Sequence, residues 1–239
     1  MKIPGAVAVV TGGSRGFGRA FSVELLKRGA RVCVADINET EGRQAEAALQ
    51  RQYGADKALF VKCDVSKEND MKVLLVFFFW CQMGAMRGSM MAFEHMRKDR
   101  GGKGGVIINV ASTGVLFPVF FIPTYAASKY ALVGFTRSWA VSYRSIIQKT
   151  RTRARRGLVV SWAVLCHAFS DTSMLSLALD GPDPPLVAYQ ENKEQVVATV
   201  KKIGVNSLDD VSRAFAELVE KDDNNGAVVI VEKNMGGAV

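Results

Sequence analysis

A tyrosine and a lysine four residues apart are the residues best suited to chemistry in this chain. Tyr125 and Lys129 open the stretch "YAASKYALVGFTRSWAVSY", whose apolar spacing predicts a helix, and the i, i+4 interval puts both on one helix face. Ser112 follows a predicted strand, and the loop after that strand would bring its hydroxyl over the same pocket. A phenol, an ammonium and a hydroxyl in one pocket can exchange and direct a proton. The spacing therefore indicates an acid–base site.

A glycine-rich turn, "VVTGGSRGFGRAF", lies between the first predicted strand and the first predicted helix. Gly12 permits a tight turn, Gly16 lets the backbone approach a pyrophosphate, and Gly18 lets the helix pack on the strand. The N-terminus of the helix offers unpaired N–H groups to an anion. This pattern predicts a dinucleotide site, and the contacts expected from it are Gly12, Ser14, Arg15, Gly16, Phe17 and Gly18.

An acidic residue eighteen positions beyond Gly18 bears on the choice of dinucleotide. Asp36 ends the second predicted strand and is followed by Ile37. A carboxylate there can accept hydrogen bonds from ribose hydroxyls and repel a 2′-phosphate, which favours NAD. Arg15 argues the other way, because an arginine in the turn could pair with that phosphate. Asp36 carries more weight, and NAD is the expected cofactor.

Taken together, TGxxxGxG, Ser112 and the YxxxK motif resemble the short-chain dehydrogenase/reductase family over nearly the whole chain. Within it, the chain is most similar to the NAD-dependent 15-hydroxyprostaglandin dehydrogenases. The stretches that carry this similarity are "CDV", "GGVIINVAS", "ALVGFTRS", "DTSML", "DPPLVA" and "NNGAVVIV".

The resemblance implies hydride transfer between NAD and a secondary alcohol or ketone, such as a 15-hydroxyprostaglandin or another hydroxylated lipid. Tyr125 would be the general acid/base, Lys129 would hold the nicotinamide ribose, and Ser112 would hydrogen-bond the reacting oxygen. The other implied cofactor contacts are Cys63, Asp64, Val65 and Thr172, and the implied substrate contacts are Ser112, Ile122 and Tyr125. The family also implies a possible homodimer.

The fold expected from the pattern is α/β, with a Rossmann-like, doubly wound parallel sheet in three α/β/α layers. Strands and helices alternate along the chain, which predicts right-handed βαβ units. We expect one dinucleotide-binding domain over residues 1–239. The predicted strands are "AVAVV", "RVCVAD", "KALFVKCDV", "GGVIINVAS", "GLVVSWAVLC" and "GAVVIVE", and the other predicted helices are "RGFGRAFSVELLKRG", "ETEGRQAEAALQRQYG" and "SLDDVSRAFAELVEK", the last with Ser207 as its N-cap.

The middle of the chain departs from the family. The family has a helix, a strand ending in Asn-Asn-Ala-Gly and a second helix between "CDV" and the serine strand, but only about forty residues separate Val65 from Gly105 here. The nine apolar residues Val73–Cys81 mark a join where about twenty-five residues are absent. A fused helix from about Asp70 to Lys98 is the simplest interpretation, and it removes or replaces the fourth strand. We therefore expect impaired stability and low activity; the alternative is a catalytically silent NAD-binding or dimer-partner paralogue.

A second departure precedes the "GLVVSWAVLC" strand. The basic run Arg144–Arg156 is expected to be an exposed, mobile insertion, while Trp162 stands where the family has an asparagine and His167–Ala168 where it has Pro-Gly. The net charge is +8, and removing the six basic residues of this run leaves about +2. Because the run has no interleaved aromatic residues, we expect no nucleic-acid partner.

Composition favours a protein of a reducing compartment, and the cytoplasm is the expected location. The four cysteines form no CxxC pair and the two histidines lie far apart, so neither a disulfide framework nor a metal site is indicated. The N-terminal apolar run is too short for a signal sequence. The run Val73–Cys81 is far shorter than the roughly 20 residues that span a bilayer, so no membrane span is expected.

Overall fold

The computed structural model of the protein describes residues 2–65, 76–116, 119, 123–149, 160–170 and 193–233. The first half is a regular β-α-β-α-β unit, as predicted. Its elements are β1 (Val7–Thr11), α1 (Gly16–Lys27), β2 (Arg31–Asp36), α2 (Glu39–Tyr53) and β3 (Ala58–Lys62). The three strands are parallel, in the order β1-β2-β3.

Local sequence explains where α2 begins and ends. The Asn38 side chain accepts a hydrogen bond from the Glu41 N–H at 3.1 Å, which satisfies one of the first backbone donors of the helix. Glu39 and Glu41 lie in the first turn, where negative charge is favoured. Gly54 follows the last helical residue with φ of 118°. The helix therefore starts directly after β2 and carries two acidic side chains beside the end of that strand.

The second half contains the predicted serine strand and the long helix after it. Its elements are α3 (Val76–Met96), β4 (Gly105–Ser112), α4 (Pro123–Lys149), β5 (Val160–His167), α5 (Lys193–Ile203), α6 (Leu208–Glu220) and β6 (Val228–Val231). These strands are also parallel, in the order β4-β5-β6. Ser207 caps α6 by accepting from the Asp210 N–H at 3.1 Å, as predicted.

The sheet is divided where a fourth family strand was expected to be missing. Within the described residues β1 pairs only with β2, and β4 pairs only with β5, so two three-stranded sheets replace one continuous sheet. On one face of the edge strand β1, Val7 and Val9 are 65% and 69% exposed. Such an exposed edge of apolar side chains is what the loss of a covering strand and helix leaves behind.

One hydrophobic core nevertheless joins the two sheets. It contains Val34 of β2 and Leu165 of β5, both fully buried, together with side chains of α1 and α6. Phe21 of α1 stacks on Phe215 of α6 with 4.3 Å between ring centroids. The halves of the molecule are therefore held together by side-chain packing on one face of the sheets.

A second core lies on the opposite face of the β4-β5-β6 sheet. Trp162 is fully buried and stacks on Trp139 of α4, with ring centroids 5.5 Å apart. Phe93 of α3 and Phe135 of α4 lie 5.8 Å from the same indole. The tryptophan that replaces the family asparagine is thus the centre of an aromatic cluster.

The structure changes three details of the predicted elements. The fused helix is present but begins, within the described residues, at Val76 and ends at Met96. The basic run was expected to be an exposed, mobile insertion, but its residues 144–149 form the last part of helix α4, which ends at Lys149. Residues 150–159 lie outside the described part. Helix α5 was not predicted at all.

No helix in the described part of the chain is long and apolar enough to cross a membrane.

Candidate functional site

The glycine-rich turn has the backbone shape that its spacing requires. Gly12 and Gly16 have φ of 65° and 54°, a region that favours glycine. A Cβ at Gly18 would lie 2.2 Å from the carbonyl oxygen of Gly12, so only glycine lets α1 approach the turn this closely. The Gly12 N–H donates to the Ala35 carbonyl at 2.8 Å, which ties the turn to β2.

The start of α1 has the features of an anion site. Arg15 occupies the N-cap position but its side chain makes no capping hydrogen bond. A Cβ at Gly16 would meet nothing within 4 Å, so open space lies next to this backbone. Uncapped helical N–H groups beside open space fit the pyrophosphate of a dinucleotide.

Asp36 is fixed at the end of β2 by the turn itself. Its Oδ2 accepts from the Ser14 N–H at 3.0 Å and its Oδ1 from the Asn38 N–H at 3.1 Å. Burial opposes ionisation of this carboxyl, but hydrogen bonds from the backbone N–H groups of Asn38 and Ser14 outweigh it and lower the pKa below its ordinary value. Asp36 is therefore a carboxylate at neutral pH, next to the turn.

Arg15 points to solvent and has a partner of opposite charge. Its guanidinium lies 3.7 Å from the Glu41 carboxylate of α2, and the side chain is 72% exposed. An exposed pair of this kind contributes little to stability. It does place a second carboxylate close to the one cation of the turn.

The ends of β2 and β3 present apolar side chains to solvent. Ile37 follows Asp36 and is exposed, and Val65 is exposed two residues after Cys63. The Cys63 N–H donates to the Asp36 carbonyl at 2.8 Å, so the ends of β2 and β3 lie side by side. Asp64 lies between Cys63 and Val65. Two exposed apolar side chains at neighbouring strand ends fit a flat adenine ring.

The predicted acid–base residues gather at the carboxyl end of β4. Tyr125 lies in the first turn of α4, and the Lys129 Nζ is 5.5 Å from the centre of its ring. Lys129 reaches back to donate to the Val110 carbonyl of β4 at 3.1 Å. That bond holds the ammonium two residues from Ser112, between the helix and the strand.

Ser112 combines a structural bond with a half-buried position at the strand end. Its Oγ accepts from the Gly114 N–H at 3.3 Å and caps the short 3-10 turn Thr113–Val115. An oxygen that accepts this bond still has its own proton to donate.

Sequence reasoning missed one residue at this edge. His167 ends β5, pairs in register with Ser112, and has its ring 4.2 Å from that of Phe17 in the glycine-rich turn. Burial lowers the pKa of His167 to about 4, and the positive charge of Lys129 acts in the same direction. The signal in the sequence was that His167 stands where the family has the proline of a Pro-Gly pair.

Two predicted contacts and one missing group cannot be placed. Ile122 and Thr172 lie outside the described residues. The middle of the chain contains no asparagine that could take the place of the family's asparagine. Gln82, the nearest polar residue, lies in the first part of α3, where only the backbone is described. The described residues bring together Ser112, Tyr125 and Lys129 on one side and the glycine-rich turn with Asp36 on the other.

Comparison with known proteins agrees with this geometry. A 15-hydroxyprostaglandin dehydrogenase [NAD(+)] of Mus musculus is 31% identical over 99% of this chain and 93% of its own length. A 2,5-dichloro-2,5-cyclohexadiene-1,4-diol dehydrogenase of Sphingobium indicum is 28% identical over 83% of this chain and 89% of its own.

Solved structures show the same fold at lower identity. A short-chain dehydrogenase/reductase of Burkholderia phymatum, in complex with NAD, superposes with a TM-score of 0.73 at 20% identity, covering 96% of this chain and 90% of its own. The L-sorbose reductase of Gluconobacter frateurii, with NADPH and L-sorbose, gives 0.72 at 18% identity and covers all of both chains.

These comparisons also locate the disturbed middle. The alignment to the mouse dehydrogenase has 262 positions, so at least 23 of them are gaps in this 239-residue chain. The family model for short chain dehydrogenases matches residues 6–79 and 80–148, two segments that meet inside the apolar run Val73–Cys81. With the match covering more than half of its length, the chain belongs to the short-chain dehydrogenase family of oxidoreductases.

Proposed function

We propose that the protein is an NAD-dependent dehydrogenase of a secondary alcohol. The observation that carries the proposal is the position of Lys129, which bonds to the Val110 carbonyl while its ammonium lies 5.5 Å from the Tyr125 ring. This holds a positive charge beside the phenol at the strand end that Ser112 occupies. A positive charge so placed would stabilise the negative charge that the phenol oxygen carries while it exchanges a proton with an alcohol.

In the proposed reaction, Tyr125 and Ser112 act on the same substrate oxygen. Ser112 donates a hydrogen bond to that oxygen and fixes its orientation. The Tyr125 phenolate takes the hydroxyl proton as the carbonyl forms, and the ammonium of Lys129 stabilises the phenolate before the transfer. NAD, when bound, supplies the acceptor for the hydride that leaves the alcohol carbon. In the reductive direction Tyr125 returns the proton.

The charges near the adenosine end support NAD over NADP. Asp36 is ionised and held by the Ser14 and Asn38 N–H groups, so a 2′-phosphate would meet a negative charge. Arg15, the cation that could offset it, already pairs with Glu41. The mouse relative is described as an NAD(+) enzyme, while the solved structures above include an NAD and an NADPH complex.

We further propose a hydroxylated lipid as the substrate, with a 15-hydroxyprostaglandin as the first candidate. The support is the activity for which the mouse relative is named, at 31% identity, and the exposed apolar side chain of Leu116 after Ser112. An exposed apolar side chain four residues beyond the acid–base group suits an acyl chain better than a sugar.

The test is turnover of 15-hydroxy lipids with NAD, followed by absorbance of the reduced cofactor, alongside a Tyr125→Phe variant. The variant removes only the phenolic oxygen, so we expect kcat to fall by about 10² to 10⁴ while affinity for NADH changes less than about twofold. Equal turnover by the two proteins would contradict the role given to Tyr125.

The divided sheet favours a second candidate, a catalytically silent paralogue that binds NAD or serves as a dimer partner. Among the residues that the structure describes, no strand pairing joins β1 to β4, so the sheet of the nucleotide half is not continuous with the sheet of the acid–base half. NADH binding without turnover of any secondary alcohol would favour this candidate over the dehydrogenase.

A further inference from the structure

A ring contact crosses the division of the sheet at its functional edge. Phe17 belongs to the glycine-rich turn after β1, and His167 is the last residue of β5. Their ring centroids are 4.2 Å apart with an interplanar angle of 46°. Because no backbone pairing joins β1 to β4 in the described residues, this contact links the nucleotide half directly to the half that carries Ser112.

His167 is firmly held on the side of the acid–base residues. It pairs in register with Ser112 of β4 and with Val231 of β6. Its Nδ1 lies 2.8 Å from the Ala168 carbonyl oxygen, a bond that requires the proton on Nδ1. That bond fixes the plane of the imidazole ring relative to the backbone on which it sits.

Phe17 connects His167 to the first half of the molecule. Its ring lies 5.9 Å from that of Phe21, which in turn stacks on Phe215 of α6. Phe17 also follows Gly16 directly, the residue whose backbone borders the open space at the start of α1. A shift of the Phe17 ring would therefore move the backbone that is offered to the pyrophosphate.

We propose that His167 is a positioning residue, which acts through Phe17 to hold the glycine-rich turn in the correct position relative to Ser112. The proposal rests on the dinucleotide site of the proposed function. In this chain, the contact between the two rings would thus help to align the two sheets, which a central strand would otherwise align through its hydrogen bonds. Sub-ångström errors of alignment are costly for hydride transfer, because reacting atoms need close and oriented approach.

The test is a double-mutant cycle on NADH affinity, with His167→Ala, Phe17→Ala and the double variant. If the two rings act as one unit, each single change should weaken binding by about fivefold to tenfold, and the double variant should be little worse than either. His167→Phe keeps a ring and should restore affinity to within about twofold. The Ala168 carbonyl still accepts from the Ser170 hydroxyl at 3.1 Å in that variant.

His95→Ala, at an exposed histidine of α3, is the matched control and should bind like the wild type. Additive effects, or unchanged affinity in both single variants, would overturn the proposal while leaving the proposed function intact. A wild-type chain that binds NADH but turns over no alcohol would remove the proposed function, and the cycle on NADH affinity would still decide on His167. A wild-type chain that binds no NADH would overturn both.

Discussion

At the scale of single residues, Gly18 leaves no room for a side chain. A Cβ there would lie 2.2 Å from the Gly12 carbonyl oxygen and 2.9 Å from the Gly13 Cα, all backbone atoms that cannot rotate away. We expect Gly18→Ala to abolish NADH binding or weaken it more than about tenfold, because α1 must move away from the turn. Fluorescence titration with NADH measures this.

Gly134 of α4 is the control for that change. It is exposed, and a Cβ there would meet nothing within 4 Å. Gly134→Ala should raise the free energy of unfolding by up to about 1 kcal/mol and leave NADH affinity unchanged. Equal NADH affinity in Gly18→Ala and Gly134→Ala would contradict the packing described for the turn.

Asp36 gives a prediction about cofactor choice. Asp36→Asn removes the negative charge but keeps one oxygen that can accept from the Ser14 or Asn38 N–H. Without the charge, the ratio of NADPH to NADH affinity should rise by about tenfold or more. Competition of NADPH against bound NADH measures the ratio, and a ratio equal to that of the wild type would show that Asp36 does not select the cofactor.

His167 makes stability depend on pH in a defined window. Its pKa is about 4 in the folded chain against an ordinary value of 6.5, so between these values the unfolded chain binds the extra proton. The stabilisation is complete above pH 6.5 and is lost as the pH falls toward 4, by roughly 3 kcal/mol in total. His167→Phe should not show this loss.

Urea unfolding of both proteins at pH 7.5 and pH 4.5 isolates the effect, because their carboxylates titrate alike. A difference in unfolding free energy between the two proteins that is the same at both pH values would mean that the His167 imidazole is not buried as a neutral group.

The residue scale also shows what sequence could not give. The spacing of Gly12, Gly16, Gly18 and Asp36 was enough to predict the turn and its acidic neighbour, because the motif is local. The contact between Phe17 and His167 joins residues 150 positions apart, and no local sequence pattern predicts it. The Arg15–Glu41 pair escaped prediction for the same reason.

At the scale of elements, the aromatic cluster around Trp162 compensates for a lost family residue. Trp162 is fully buried against Trp139, Phe93 and Phe135. Trp162→Asn would restore the family residue, yet it should lower the free energy of unfolding by about 3 to 5 kcal/mol, because it leaves a cavity and a buried amide. Thermal or urea unfolding tests this.

Trp162→Phe is the milder companion variant, since it keeps a ring in the cluster and should cost clearly less than Trp162→Asn. If the asparagine variant were as stable as the wild type, the cluster would not be what holds β5 to α3 and α4.

The predictability of the elements followed their periodicity. Strand β2 and helix α2 were predicted to within a residue, because alternation and capping signals mark their ends. The fused helix was predicted because the shortened middle of the chain leaves too few residues for the crossover connection that a further parallel strand would need. The extension of α4 to Lys149 was missed because its last residues lie in the basic run, whose composition suggested a loop.

At the scale of the whole molecule, the two sheets share one core but no backbone pairing within the described residues. Phe21 on Phe215, and the Arg28–Glu220 ion pair at 2.7 Å, join α1 to α6 across the division. The α/β fold agrees with the sequence prediction, whereas the division into two sheets was not predicted, although it is compatible with the expected loss of a fourth strand. How the halves are joined depends on long-range packing, which no single stretch of sequence specifies.

The central claim is that this chain keeps a dinucleotide site although the sheet is divided. NADH titration of the purified protein, by energy transfer from its tryptophans and by thermal shift, tests it most directly. We expect saturable binding with a raised melting temperature, both lost in Gly18→Ala. A cooperatively folded wild-type protein that binds no NADH would contradict it.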